Sequence, residues 1–515
     1  HCLSVVPVAT PFGEKRRIDL ATCNKDETCV EGFCPAIVTI EGGRPRKSKP
    51  VPPADIPAEW TSLPAPRLPA LDRPWRILAA GIGGTGVVTI GHLIAMAAHL
   101  DGHATAVLDQ TGLAQKGGAV ASHVTIATAP DTIHAARIGE MRADAIIGCD
   151  LIVAADTPQL ATVTPGHTRI IVNSEETITG AFLRDPALAF PADSLLGAIA
   201  RRAGAAQVTT ADARRLAERL TGQAIAANVL LLGLAWQAGL VPVSEAALLA
   251  AIDLNHRGAA TNRAAFAWGR RAAHDMDRVR ALAGLDRDAA TPAVNESLTQ
   301  VIARRAEELS RYGGARLAAR YRARVEDIAR HAALAAPDDA EALTLAVAKG
   351  YFHVLAAKDE YDVARLFSDG GFDADLNRAF EGPFRVHYHL APAWLATRDA
   401  SGRPAKRDFG PWLRGLLALA ARLRFLRDGP LDPFRFGADR ALERRHRTEY
   451  EEDLTRLHAA LAGDTIDLCR ELAELPLTVR GFGAVRRESY DRAAARRRDI
   501  LIRLGPGSTG RVAAE

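Results

Sequence analysis

Apolar positions in the first 275 residues follow two periods. WRILAAGI (75–82) is a short apolar run that ends in glycines. GVVTIGHLIAMAAHLDG after it carries apolar residues at helical spacing up to an Asp-Gly stop, so a strand, a glycine turn and a helix are predicted in that order. HATAVLD, GGAVASHVTIA, DLIVAAD and TRIIVNSE are further predicted strands, with helical segments between several of them. That alternation predicts an α/β domain with a mainly parallel sheet. It closes in helices through VSEAALLAAIDLN and TNRAAFAWGRRAA near residue 275. The uncharged run 224–243 is long enough to raise a membrane span. Asn228, Gln237, two glycines and Pro242 interrupt it, and a buried helix of a globular core is expected instead.

From about residue 290 the pattern is helical almost throughout. LTRLHAALAG places Leu454, Leu457 and Leu461 on one face, and WLRGLLALAARLRFLRDG is a second amphipathic stretch, while the alternation in RVHYHLAP predicts a short strand. At the other end, residues 1–43 read as strand and loop holding a cysteine cluster. Residues 44–74 are proline-dense and lack apolar periodicity, as in an extended linker that wraps or spans. The expected organisation is thus a cysteine-rich end (1–43), a linker (44–74), an α/β domain (75–275) and a mostly helical domain (290–515).

Composition narrows the function classes. In 515 residues, 48% are hydrophobic and 24% charged, which matches ordinary globular protein. A net charge of +4 spread over so many ionised groups forms no basic patch, so nucleic acid is not an expected partner. Arg496, Arg497 and Arg498 read as the solvated face of a terminal helix. The chain starts HCLSVV, without Met and without the charged and apolar regions of a signal peptide. It is expected to be the C-terminal part of a longer protein, cytoplasmic and with no membrane contact.

Two features carry chemistry. Gly81, Gly83 and Gly86 satisfy G-x-G-x-x-G within GIGGTG, after a strand and before a helix. Such glycines allow a tight turn and leave helix N–H groups open to an anion. Asp109 is placed to hold a ribose if the turn binds a dinucleotide, but a lone fingerprint is weak. Gly117 and Gly118 begin a second glycine-lined edge, where a cofactor or a neighbouring domain is expected to approach closely. The other feature is CNKDETCVEGFCP, in which Cys23, Cys29 and Cys34 cluster downstream of Cys2. Disulfides fit small secreted domains rather than this chain. Zinc favours paired C-x2-C knuckles, which are absent. A terminal Cys-Pro is typical of iron–sulfur runs, and Lys15, Arg16, Arg17 and Lys25 would favour an anionic cluster. Cys149 and Cys469 fall in apolar patterns and are expected in cores. His123, His387 and His389 lack a second ligand at diagnostic spacing, and Asp359, Glu360 and Asp362 do not share a helix face.

GIGGTGVVTIGHLIAMAAHLDG followed by LDQTGLAQKGGAVASHVTIA resembles the gamma-type domain of the 2-oxoacid:ferredoxin oxidoreductases. FGEKRRIDLATCNKDETCVEGFCPAIVTIEGG is similar to the cysteine-rich end of the thiamine-dependent part in the fused indolepyruvate:ferredoxin oxidoreductases. AAKDEYDVARLF, FEGPFRVHYHLAP, KRDFGPWL and LPLTVRGFGAV resemble the C-terminal domain of that fused form. The resemblance implies a Rossmann-like gamma-type domain between an iron–sulfur segment and a mostly α-helical domain. It implies oxidative decarboxylation of an aryl 2-oxoacid with thiamine diphosphate and magnesium, transfer of the acyl group to coenzyme A, and electrons passed through [4Fe–4S] clusters to ferredoxin. Gly81, Gly83, Gly84, Thr85, Gly86, Gly117 and Gly118 would then line a cofactor edge, with Cys2, Cys23, Cys29 and Cys34 as cluster ligands and a homodimer as the assembly. No GDG followed downstream by Asn is present, so the thiamine site is expected in preceding domains and this chain alone is expected to be inactive. A non-catalytic scaffold that docks an electron carrier, and a nicotinamide- or flavin-linked reductase, are the alternative readings.

Overall fold

The computed structural model describes residues 4–8, 10–20, 23, 25–32, 34, 36–46, 50–60, 62–112, 118–176, 190–256, 258–285, 296–391 and 405–505. Two compact units result. The first comprises His1–Ala9, Glu14–Cys23 and Lys47–Ala293, and the second Thr10–Gly13, Asn24–Arg46 and Val294–Glu515. Strands in chain order are β1 (Val5–Val8), β2 (Lys15–Ile18), β3 (Ile37–Pro45), β4 (Trp75–Ile82), β5 (Ala104–Thr111), β6 (Ala119–Ala127), β7 (Ala145–Gly148), β8 (Arg169–Asn173), β9 (Val208–Ala211), β10 (Phe380–Leu390) and β11 (Arg407–Phe409).

The first unit is the expected α/β domain. Its six-stranded sheet runs β5-β6-β4-β7-β8-β9. Neighbours from β4 to β9 are parallel, whereas β6 is antiparallel to both β4 and β5. Side chains alternate between two cores, as a sheet covered on both faces requires. Ile77, Ala79, Ile147 and Ile171 face the larger core, while Leu78, Ala80, Ile146, Ile170 and Val172 face the other. Residues 224–243 do supply a buried helix, Ala227–Gln237, with every residue from Ala227 to Trp236 buried. It packs directly on the helix Ala259–His274. A Cβ at Gly233 would lie 2.1 Å from Phe266 O, and one at Gly269 1.9 Å from Leu230 O. No helix among the described residues is long and apolar enough to cross a membrane.

One predicted strand is corrected. DLIVAAD is no strand: β7 ends at Gly148, and Leu151–Ala154 is helical. Asp150 causes the switch, because its Oδ1 accepts the Val153 N–H at 2.9 Å and caps the helix. The proline-dense stretch adds to the core. Trp60 is buried edge-on to Trp268, with ring centroids 6.5 Å apart, and Val51, Ile56, Leu63 and Leu71 pack on the same core.

The second unit is mostly helical. Leu454, Leu457 and Leu461 are buried together, with Cys469, in a core that also holds Tyr321, Tyr351 and Tyr450. RVHYHLAP falls in β10, which pairs antiparallel with β11 and with β3. Arg497 departs from the solvated face expected for its run. Its Nε and Nη2 each donate at 2.6 Å to the buried Asp453 carboxylate, whereas Arg496 stays exposed and pairs with Glu471.

Candidate functional site at the glycine turn

The turn Gly83–Gly86 joins β4 to the helix Val87–Leu100 at the carboxyl edge of the parallel strands, the edge where open α/β sheets bind ligands. Its glycines divide the work. A Cβ at Gly81 would stand 2.7 Å from Cys149 Cβ and 3.1 Å from Asp150 Oδ2, so this glycine serves packing. Gly84 and Gly86 adopt φ of 88° and 95°, where a side chain would be strained. Thr85 Oγ1 donates to Ile82 O at 2.8 Å, and buried Asn228 donates from Nδ2 to Thr85 O at 2.9 Å. Those bonds fix the loop from within, while Gly84 and Thr85 remain exposed. The helix has no side-chain cap at Gly86, which leaves its first N–H groups to solvent or an anion.

The second glycine edge closes on the first. Gly83 N–H donates to Gly118 O at 2.8 Å, and a Cβ at Gly83 would meet Val120 Cγ2 at 3.2 Å. Gly117 lies outside the described residues. Gly118 thus approaches Gly83 directly, and a carbonyl oxygen covers the point where a dinucleotide fingerprint opens to pyrophosphate. Asp109 is equally unsuited to a ribose. It sits on β5, two strand spacings or roughly 10 Å from β4, because β6 lies between them. Its carboxylate is already engaged by His92 Nε2 at 2.7 Å and Ser122 Oγ at 2.6 Å.

Around this edge are groups that sequence alone did not single out. Asp150 is buried beneath Gly81, its Oδ2 without a hydrogen-bond partner among the described residues. Burial pushes its carboxyl up, opposed by the N–H groups of Val153, Ile82 and Ile152. Just past β8, burial pushes Glu175 up to about 7 against the pull of Arg214. Arg214 also pairs with Asp19, whose carbonyl accepts the Cys23 N–H at 3.1 Å. Cys149 is buried in the core, which pushes its thiol far above the ordinary range.

The cysteines are dispersed between the units. Cys23 belongs to the first, Cys29 and Cys34 to the second, and Cys2 lies outside the described residues. None of the five described cysteines is in a disulfide. Among the described residues no three His, Cys, Asp or Glu side chains converge on a metal position. The described residues do not by themselves fit a [4Fe–4S] cluster. A cation does stand at Cys34, though not one of those expected. Lys406 donates to Cys34 O at 2.7 Å; burial lowers its ammonium, and the Cys34 and Cys29 thiols oppose that shift. Arg16 instead pairs with Glu14 at 3.2 Å. The histidines are structural: His123 is bonded to Gln110 and the Ile138 N–H, His389 to Thr39, and His387 to Asp408 and Glu41.

Residues 76–272 match the family described as pyruvate ferredoxin/flavodoxin oxidoreductase, a span that runs from β4 into the helix Ala259–His274. Over that span the chain is similar to the 2-oxoacid:ferredoxin oxidoreductases. This chain is similar to the indolepyruvate oxidoreductase subunit IorB of Archaeoglobus fulgidus, at 29% identity over 163 residues, 31% of this chain and 74% of that subunit. The keto/oxoacid ferredoxin oxidoreductase gamma subunit of Geobacter sulfurreducens matches at 22% identity with a TM-score of 0.28, covering 39% of this chain and 98% of that one. The 2-oxoglutarate:ferredoxin oxidoreductase of Magnetococcus marinus matches at 16% identity and a TM-score of 0.28, over 42% of this chain and 32% of that one. Outside that span, residues 298–499 match a family of unknown function, DUF6537.

Proposed function

We propose that this chain is the gamma-type and C-terminal part of an indolepyruvate-type oxidoreductase that converts an aryl 2-oxoacid to its acyl-coenzyme A. In that reaction the carbon–carbon bond to the carboxylate breaks and CO₂ leaves. The coenzyme A thiol loses its proton to solvent as a carbon–sulfur bond forms to the acyl carbon, and the two electrons released go to ferredoxin. Thiamine diphosphate with magnesium supplies the decarboxylation chemistry and is assigned to other domains of the protein. Cys2, Cys23, Cys29 and Cys34 are assigned to iron–sulfur ligation together with residues outside the described set. Gly81, Gly83, Gly84, Thr85, Gly86, Gly117 and Gly118 form the cofactor-facing edge, and the assembly is a cytoplasmic homodimer.

The observation that supports this reading is the family match over 76–272, joined to a glycine turn whose exposed part is Gly84 and Thr85. The carbonyl of Gly118 at Gly83 and the engagement of Asp109 count against the reductase alternative. The test is an anaerobic assay of the intact gene product with thiamine diphosphate and coenzyme A. Indolepyruvate should drive reduction of a viologen dye, and omission of coenzyme A should abolish it. Turnover of NADH by the same preparation, or no reduction with any aryl or branched 2-oxoacid, would overturn the proposal.

A further inference from the structure

The helical unit covers one side of its helix Leu413–Arg422 and leaves another bare. Leu413, Leu417 and Ala421 are buried in a small core with Val363, Phe367 and Tyr388. At 3.6 residues per turn, Trp412, Leu416, Leu419 and Leu423 form a second row about a third of a turn away, and all four are exposed. Trp412 belongs to the row because its φ and ψ of −59° and −28° are already helical. Arg414 and Arg422 fall on the remaining side, so no charge interrupts the row. Phe425, 75% exposed, stands in the turn that follows.

Spacing and area say what covers such a row. Its steps are four, three and four residues, the alternation of a heptad seam, which is the narrow face one helix presents to another. A lipid surface calls instead for a broad apolar face edged by free basic residues, and here Arg414 is held by Asp373. The exposed fractions of the five side chains come to about 550 Å², taking a whole aromatic side chain as up to about 250 Å². That is near the upper end of what a monomer leaves bare. A standard interface takes about 800 Å² from each partner, about two thirds of it apolar in homodimers, so the row supplies the apolar centre of one such interface. The other described helices each expose no more than two large apolar side chains, so among the described residues the matching seam is this one. A two-fold contact lays the same patch against itself, where a charge near the axis would meet its own sign; the uncharged row meets that condition.

We infer that the helix Leu413–Arg422 is a dimerisation seam, packed antiparallel on the same helix of a second copy of this chain. The antiparallel arrangement opposes the two helix dipoles. It sets Trp412 of one copy beside Leu423 of the other, and Leu416 beside Leu419. The inference rests on the homodimeric assembly proposed above and adds the place where the copies meet.

The experiment is sedimentation velocity of the full chain over a dilution series. The wild-type chain should sediment as a dimer. Leu416→Asp combined with Leu419→Asp should weaken association about a thousandfold, since four leucines leave each interface. Leu334→Asp, on an exposed position of the helix Ala315–Ala335 outside the seam, should leave the dimer intact, and so should Leu416→Met. Both seam leucines are exposed, so the circular dichroism of the double variant should match the wild type. A double variant that stays dimeric overturns the seam alone and leaves the homodimer to another face. A wild-type chain that stays monomeric overturns both, and its flotation with phosphatidylserine vesicles would reassign the row to a lipid surface. A double variant that unfolds shows the row to be part of the core and overturns the seam as well.

Discussion

Glu175 links the carboxyl edge of the sheet to the cysteine-bearing segment through Arg214 and Asp19, and its titration is measurable. Its carboxyl is raised from 4.5 to about 7, with burial the largest cause and Arg214 the main opposing one. A folded-state value above the unfolded one means that the native chain holds this proton more tightly. Between the two values the native state carries one proton more than the unfolded state, so stability falls as pH rises through that window and levels off above about 7. At 1.36 kcal/mol per unit, the fall attributable to Glu175 is about 3 kcal/mol. Glu175→Gln keeps the shape and the neutral charge, so it should match the wild type near pH 5 and exceed it by about 2–3 kcal/mol at pH 8. The assay is urea unfolding followed by tryptophan fluorescence. Trp60, Trp75, Trp236 and Trp268 all report on the α/β unit, Trp60, Trp236 and Trp268 from buried positions. A variant less stable than the wild type at pH 8, or a difference that does not change with pH, would show that the ionised pair with Arg214 outweighs burial and refute the reasoning.

Two substitutions test the packing argument. Arg497→Met strands the buried Asp453 carboxylate and should cost about 3–5 kcal/mol in thermal unfolding, whereas Arg496→Met, on the exposed side of the same helix, should change stability little. Gly269→Ala would place a methyl 1.9 Å from Leu230 O. The forced separation of the two helices should cost about 3 kcal/mol despite the gain of about 1 kcal/mol in helix propensity, read as a lower urea midpoint at unchanged slope.

What could be read in advance was what depends on local pattern. The helix at 227–237, the paired faces of β4 and the buried row Leu454, Leu457 and Leu461 follow from apolar spacing alone. DLIVAAD was misread because a short apolar run fits a buried strand and a buried helix equally, and a capping side chain decided between them. Arg497 was misread because its partner Asp453 is 44 residues away. Lys406, 372 residues from Cys34, and Asp359, which collects Arg427 and Arg440 over 68 and 81 residues, carry no local signal. Their pairing is made by tertiary packing.

The direction of β6 is the detail that most changes the meaning of the glycine turn. With a parallel neighbour, the acidic residue that ends the next strand would face the turn, and G-x-G-x-x-G would describe a dinucleotide site. An antiparallel strand in that position moves Asp109 one strand outward, where Ser122 of β6 and His92 of the helix consume it. The same strand begins beside Gly118, whose carbonyl takes the Gly83 N–H. Two of the three fingerprint glycines, Gly81 and Gly83, therefore face protein atoms. The surface left for another molecule shrinks to Gly84, Thr85 and the uncapped start of the helix. An edge of that size does not enclose a ligand alone.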